Sequence, residues 1–255
     1  MEPLSATIIT FNEEANIERC LNSLVGVVSE IIVVDSHSTD ATLDICRRYG
    51  CRITVRDFEG FGSQRQYATG LTTSRHVLSI DADEVLSEEL RQAIIDLRRE
   101  GFRHRMYSAT VNNFICGRAM RHSGWGPERQ VRLFDKRYAT WDLRDVGERI
   151  THSDSVCPEL LPGCVNHYRC GSISELEFKE TRHARMRGRV LAASGCDVGV
   201  FGAWLRATGA FVRCHVRHGA ILDGREGRHI AVSRYVSTLA AYRTARRMAK
   251  EQTKA

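Results

Sequence analysis

The sequence predicts an α/β fold: a mostly parallel sheet with helices on both faces, followed by a basic helical extension. Three observations predict it. Apolar strand, polar turn and amphipathic helix repeat through the first hundred residues. Acidic residues cluster where those strands end, the edge at which open α/β sheets bind ligands. Formal charge is about −7 over residues 1–100, about +3 over 101–164 and about +10 over 165–255, giving the net +6.

The elements follow in order. Ala6 to Phe11 is an apolar strand, and Asn12-Glu13-Glu14 places acids at the start of a helix carrying Ile17, Leu21 and Leu24 on one face. Glu30 to Asp35 is a second strand. Ser36 to Asp40 then offers several caps for a helix reaching Tyr49, which Gly50 stops. Arg52 to Arg56 is a third strand, Gln64 to Gly70 a short helix, and Val77 to Asp81 a fourth strand, with another helix from Ser87. Strands alternating with helices at this spacing imply parallel pairing through right-handed crossovers. Arg129 to Phe134 adds a strand in the second half. The chain of 255 residues divides into residues 1–165, with a donor half 1–100 and an acceptor half 101–165, and a basic, amphipathic helical region 166–255.

The most informative junction is Val77-Leu78-Ser79-Ile80-Asp81-Ala82-Asp83-Glu84. Residues i and i+2 of a strand share a face, and the turn that ends a strand can bring two such carboxylates onto one ion. Asp-x-Asp suits Mg²⁺ or Mn²⁺, hard cations that combine carboxylates with phosphate oxygens. A solvated acidic loop leading into the next helix is the plainer alternative. Arg65, beside Gln64 between the third and fourth strands, can reach a diphosphate or a sugar, or lie exposed on its helix. Asp35 ends the second strand, where a carboxylate can accept the imide N–H of uracil. Asn12 and Glu13 also suit plain helix-capping and dipole roles.

Three motifs in order carry a likeness: Thr10-Phe11-Asn12-Glu13-Glu14, then Val33-Val34-Asp35-Ser36-x-Ser38-Thr39-Asp40-x-Thr42, then Asp81-Ala82-Asp83-Glu84. The chain resembles the family 2 glycosyltransferases of the GT-A fold, a Rossmann-like nucleotide-diphospho-sugar transferase architecture. Gly60-Phe61-Gly62-Ser63-Gln64-Arg65, His122-Ser123-Gly124-Trp125 and the Arg129–Phe134 segment extend the likeness. They resemble the β-1,4-glucosyltransferase subgroup, which adds glucose or a similar sugar to the lipopolysaccharide or lipooligosaccharide core. The resemblance covers roughly residues 4–230. It implies an inverting, metal-dependent hexosyltransferase using a nucleotide sugar, with UDP-glucose the expected donor and a glycan or glycolipid the acceptor. Asp83 is then the direct metal ligand, and Asp81 a ligand through water or a ribose contact. Thr10, Asn12 and Glu13 line the base and ribose, with Asp35, Gln64 and Arg65 completing the donor site.

Inversion also needs a base for the acceptor hydroxyl. With the donor carboxylates engaged by metal, that base is expected in the second half, at Glu148 with Asp145 in reserve, within Asp145-Val146-Gly147-Glu148. The subgroup usually has Val-His-Glu here, so Gly147 replaces a histidine. A salt-bridged Glu148 beside Arg144 or Arg149 is the structural alternative. Trp125, between two glycines, can stack on an acceptor sugar or simply be buried.

Nine cysteines without a Cys-x-x-Cys pair favour a reducing cytosol. Cys157, Cys164, His167 and Cys170 are four possible zinc ligands, though at no standard spacing. Met1-Glu2-Pro3-Leu4 leads directly into the first strand, so no N-terminal targeting segment is expected. The basic end fits an anionic partner. Val198 to Val212 is too short and too interrupted to span a bilayer, but it can lie flat on the cytoplasmic face of the inner membrane, or pack as an ordinary helix. No nucleic-acid motif accompanies the charge. Two other classes stay open on the sequence. A sugar-phosphate nucleotidylyltransferase is expected to show a Gly-rich phosphate loop after its first strand, where this chain has Thr-Phe-Asn-Glu-Glu. A non-catalytic basic membrane- or nucleic-acid-binding adaptor leaves the ordered acidic strand ends without a role.

Overall fold

A computed structural model of the chain describes residues 1–143, 147–152, 157–196 and 199–252. The first strand, β1 (Leu4–Thr10), leads to α1 (Ile17–Leu24), β2 (Glu30–Asp35), α2 (Thr42–Arg48), β3 (Arg52–Val55), α3 (Phe61–Gly70) and β4 (His76–Ser79). These strands pair in parallel in the order β3-β2-β1-β4, with Thr10 opposite Asp35 and Asp35 opposite Val55. The register puts the C-terminal ends of β1 and β2 side by side. Alternation along the strands sends Leu4, Ala6 and Ile8 to one face, where Ile17, Leu21 and Leu24 of α1 join the core. Val77, Met106, Phe134 and Trp141 form a separate buried cluster.

Past β4 come β5 (Glu84–Leu86), α4 (Glu88–Glu100), β6 (Met106–Ile115), β7 (Arg118–Ala119), β8 (Glu128–Asp135), β9 (Ala139–Trp141), β10 (Ile150–His152) and β11 (Glu159–Cys170). The main sheet continues from β4 through β8, β6 and β11 to β5, and β9 pairs with β10 separately. β8 runs antiparallel to both β4 and β6, and β5 antiparallel to β11. The sheet is therefore mixed, with β3, β2, β1 and β4 parallel and β8 reversed beside β4. The reason is connectivity: parallel neighbours need a long crossover, usually a helix, and α1, α2 and α3 supply one between each successive pair of strands from β1 to β4.

One close approach fixes β11 against the start of α4. Ser87 caps α4 by accepting from the Leu90 N–H, and its hydroxyl also accepts from the Cys164 N–H at 3.0 Å. Gly163 has φ +81°, and a Cβ there would lie 2.4 Å from the Leu90 nitrogen. Only glycine fits. The β11–β5 register that follows sets His167 opposite Glu84.

The chain forms two compact units, Met1–Asn112 with Glu128–Tyr168, and Asn113–Pro127 with Arg169–Ala255. The second contains α5 (Ile173–Ala193), α6 (Val200–Val212), a π-helical turn at Arg213–Arg217, a 3₁₀ turn at Ala220–Asp223 and α7 (Gly224–Gln252). Gly188 lets α5 approach α7, since a Cβ there would sit 2.6 Å from Thr244 Cβ. Buried Asp223 accepts from the Arg121 and His122 N–H groups and the Ser123 hydroxyl, tying the 3₁₀ turn to the 121–123 segment. Ile115, Met120, Trp125, Leu176 and Ile230 make this unit's core.

Candidate active site

The two leading strand ends are stitched together by side chains. Asn12 follows β1 and His37 follows β2, each with a left-handed backbone, φ +54° and +63°. Asn tolerates that region because its short polar side chain bonds locally. Asn12 Oδ1 accepts from the Thr39 N–H, while the Asn12 N–H donates to Ser38 Oγ, both at 2.8 Å. The Glu13 N–H donates to Thr42 Oγ1, and the Ser36 N–H to the Thr10 carbonyl. Asp35 is fully buried and accepts from both the N–H and the hydroxyl of Ser38. Its carboxylate thus shapes the loop, and a contact with a base would add to that duty. Buried Gln64 donates from Nε2 to Ser36 Oγ at 3.0 Å. Its Oε1, like Thr10 Oγ1, is buried without a hydrogen-bond partner among the described residues.

The acidic turn is held from beneath. The Glu84 N–H donates to the Asp81 carbonyl, and the Asp81 N–H donates back to Glu84 Oε2, both at 3.0 Å. Glu84 is fully buried and pairs with Arg132 of β8. Burial pushes its carboxyl up, with Asp81 adding to the shift and Arg132 opposing it. His167 brings Nε2 to 3.1 Å from Asp83 Oδ1 and Nδ1 to 3.5 Å from Glu84 Oε1. Ligand atoms of Asp81, Asp83 and His167 all lie within 4.8 Å of one another, the one such group among the described residues. Two carboxylates and an imidazole suit Mn²⁺ or Mg²⁺. The residues fit a divalent cation. A metal-binding histidine commonly hands its other ring nitrogen to a carboxylate, and Glu84 stands where that partner belongs.

Arg65 joins this cluster to Glu148. Its side chain is 9% exposed, with Nη2 2.6 Å from Asp81 Oδ1 and Nε 3.0 Å from Glu148 Oε1. The guanidinium also lies over the Trp141 ring, 5.1 Å from its centroid. Burial works against ionisation of Asp81, but Arg65, aided by Arg132 and His167, holds its carboxyl well below the usual range. Burial likewise opposes the charge on Arg65, and Asp81 and Glu148 more than offset it. Gly147 has φ +77°, a backbone that glycine adopts freely, so the missing histidine is matched by a turn that disfavours one.

Asp81, Asp83, Arg65 and Glu148 come together, Thr10, Asn12, Glu13 and Asp35 sit at or just beyond the neighbouring strand ends, and Gln64 reaches Ser36 there from α3. Asp145 lies outside the described residues. Glu148 is salt-bridged, but to Arg65 rather than to a sequence neighbour. His167, which the sequence offers only as a zinc ligand, turns to Asp83, while the Cys164 thiol meets Asn166 and Cys157 is exposed. No local signal marks it, because its partners are some 80 residues away and meet it through the β11–β5 pairing. Trp125 is buried in the second unit with Arg169 over its ring, 4.6 Å from the centroid, so packing is its observed role.

The model for glycosyl transferase family 2 matches residues 5–152. An uncharacterized glycosyltransferase of Rickettsia typhi is 31% identical over 206 residues, spanning 76% of this chain and 70% of the relative. The lipopolysaccharide core biosynthesis glycosyltransferase LpsC of Rhizobium meliloti is 26% identical over 231 residues, spanning 88% and 85%. Among solved structures, glucosyl-3-phosphoglycerate synthase of Mycobacterium tuberculosis with Mn²⁺ and UDP-glucose is 21% identical with a TM-score of 0.37, and the match covers 44% of each chain. The chain belongs to glycosyl transferase family 2, a family of sugar-transferring enzymes.

Proposed function

We propose that the protein is an inverting, metal-dependent hexosyltransferase that moves glucose from UDP-glucose onto a lipopolysaccharide or lipooligosaccharide core, or a similar glycan acceptor. The observation that carries this reading is the Asp81–Asp83–His167 cluster at a sheet edge, with Arg65 linking it to Glu148. The donor sugar rests on the subgroup resemblance, and the acceptor class on that resemblance together with the likeness to LpsC.

Asp81, Asp83 and His167 would hold Mn²⁺ or Mg²⁺, which when bound neutralises charge on the departing diphosphate. The chain's own residues supply the rest. Glu148 takes the proton from the acceptor hydroxyl as that oxygen attacks the anomeric carbon and the bond to UDP breaks. Arg65 fixes the Glu148 carboxylate through Oε1, leaving Oε2 for the proton, and adds positive charge beside the diphosphate. Thr10 Oγ1 and Gln64 Oε1, both buried and without a partner among the described residues, are hydrogen-bonding groups for the nucleotide. Asp83 would hold the metal directly, and Asp81 would hold it through water or contact the ribose.

A thermal-shift screen with UDP, GDP and ADP, each with Mn²⁺, tests the donor class by mass action on the folded state. UDP is expected to give the largest rise in melting temperature. A larger rise with GDP or ADP overturns the UDP assignment. Incubation with a panel of UDP-sugars and detection of released UDP then names the sugar.

A further inference from the structure

α6 is built inside out. Its small residues Ala203 and Ala207 are buried, whereas Phe201 is 71% and Trp204 47% exposed, together with Val200, Leu205 and Val212. Val216, Ile221 and Leu222, in the turns that follow α6, are exposed as well. Phe201 and Trp204 stack on each other with centroids 6.0 Å apart, so the two rings form one projecting apolar block. An ordinary surface helix turns its large apolar side chains inward. A contiguous apolar patch on a folded protein marks an interaction surface.

Charge narrows the partner. From Gly199 to Leu222 there is no Asp or Glu, while Arg206, Arg213 and Arg217 are exposed in the same stretch. A second copy of this chain is a poor occupant. A two-fold interface sets a patch against itself, and these arginines would meet only arginines. Anionic headgroups offer phosphate for the arginines, and the acyl boundary accepts aromatic and aliphatic side chains. α6 has 13 residues, and no described helix is long and apolar enough to cross a membrane.

We infer that α6 and the turns after it dock flat on an anionic lipid bilayer, with Phe201, Trp204 and Leu205 in the acyl boundary and Arg213 and Arg217 on headgroup phosphates. The surface lies wholly in the second unit and does not depend on the transfer reaction proposed above.

The protein carries its own reporter. Of its three tryptophans, Trp125 and Trp141 are buried and Trp204 is exposed. Mixing the full chain with vesicles of phosphatidylcholine and phosphatidylglycerol should shift tryptophan emission to the blue and carry the protein into the pellet. Pure phosphatidylcholine vesicles should bind it more weakly. Phe201→Ser with Leu205→Ser should cut partitioning by at least about tenfold with an unchanged circular-dichroism melt. Arg213→Gln and Arg217→Gln, which spare the apolar face, should each cost about fivefold on the mixed vesicles alone. Failure of the wild-type chain to sediment with mixed vesicles overturns the inference, as does undiminished binding by the Phe201→Ser/Leu205→Ser variant. A dimer in sedimentation velocity that this variant abolishes, without vesicle binding by wild type, also overturns it and assigns the face to a second copy.

Discussion

Replacing Arg65 with methionine keeps most of the side-chain volume but removes the cation between Asp81 and Glu148. Two charge-assisted contacts go at once, at 2.6 and 3.0 Å, and both carboxylates stay mostly buried, 21% and 15% exposed. Hydrogen bonds to charged groups contribute about 1.5–3 kcal/mol each, and breaking a buried pair costs about 3–5 kcal/mol in all. Partial rehydration of Asp81 and Glu148 puts the expected loss near the lower end, about 3 kcal/mol. For a chain of this size that is a fall of about 6–12 °C in melting temperature. Mn²⁺ should restore part of it, because a cation on Asp81 replaces one of the two lost partners. Transfer should fall by about two to three orders of magnitude, the range for losing a fixed electrostatic stabiliser. Arg65→Lys should lie between, since one ammonium cannot serve two carboxylates as a planar fork does. Calorimetric melts with and without Mn²⁺, read beside UDP release, decide the matter. A variant that melts and transfers like wild type would show that the Arg65 bridge matters neither to the fold nor to the reaction.

Three further outcomes are expected. Glu148→Gln is nearly isosteric, so UDP and Mn²⁺ binding should be almost unchanged while transfer drops by about two to four orders of magnitude; normal transfer would remove Glu148 from the base role. Asp35→Ala should weaken UDP binding more than GDP or ADP binding, as measured by calorimetry. Equal losses for all three would assign Asp35 wholly to the Ser38 loop contacts. His167→Ala should lower Mn²⁺ affinity by about ten- to a hundredfold at a similar melting temperature without metal, and unchanged affinity would place the histidine outside the metal site.

Legibility in the sequence followed locality. The parallel strands could be read because each is an apolar run bounded by its own turn residues, and the acids at their ends are neighbours in the chain. Asp81 and Asp83 were visible for the same reason. His167 was not, because Gly163 and Ser87 set its position through a contact between segments far apart in sequence. The buried Glu84–Arg132 pair was hidden likewise: Glu84 read as one more acid of a turn, and only the fold places Arg132 against it. The strand at Arg129–Phe134 was legible, but its antiparallel pairing with β4 was not, since direction depends on connections with no local signature. α6 was marked as apolar, yet which face turns outward depends on packing through Ala203 and Ala207.

The donor-site assignment meets its sharpest test in isothermal titration of UDP into wild type and Asp83→Asn, each with Mn²⁺ and with excess chelator. Wild type should bind UDP with Mn²⁺ and lose about a hundredfold or more in chelator, while Asp83→Asn should be weak in both and keep its fold. UDP binding of equal strength with Mn²⁺ and in chelator, or an Asp83→Asn variant that matches wild type, would contradict a metal held by Asp81, Asp83 and His167.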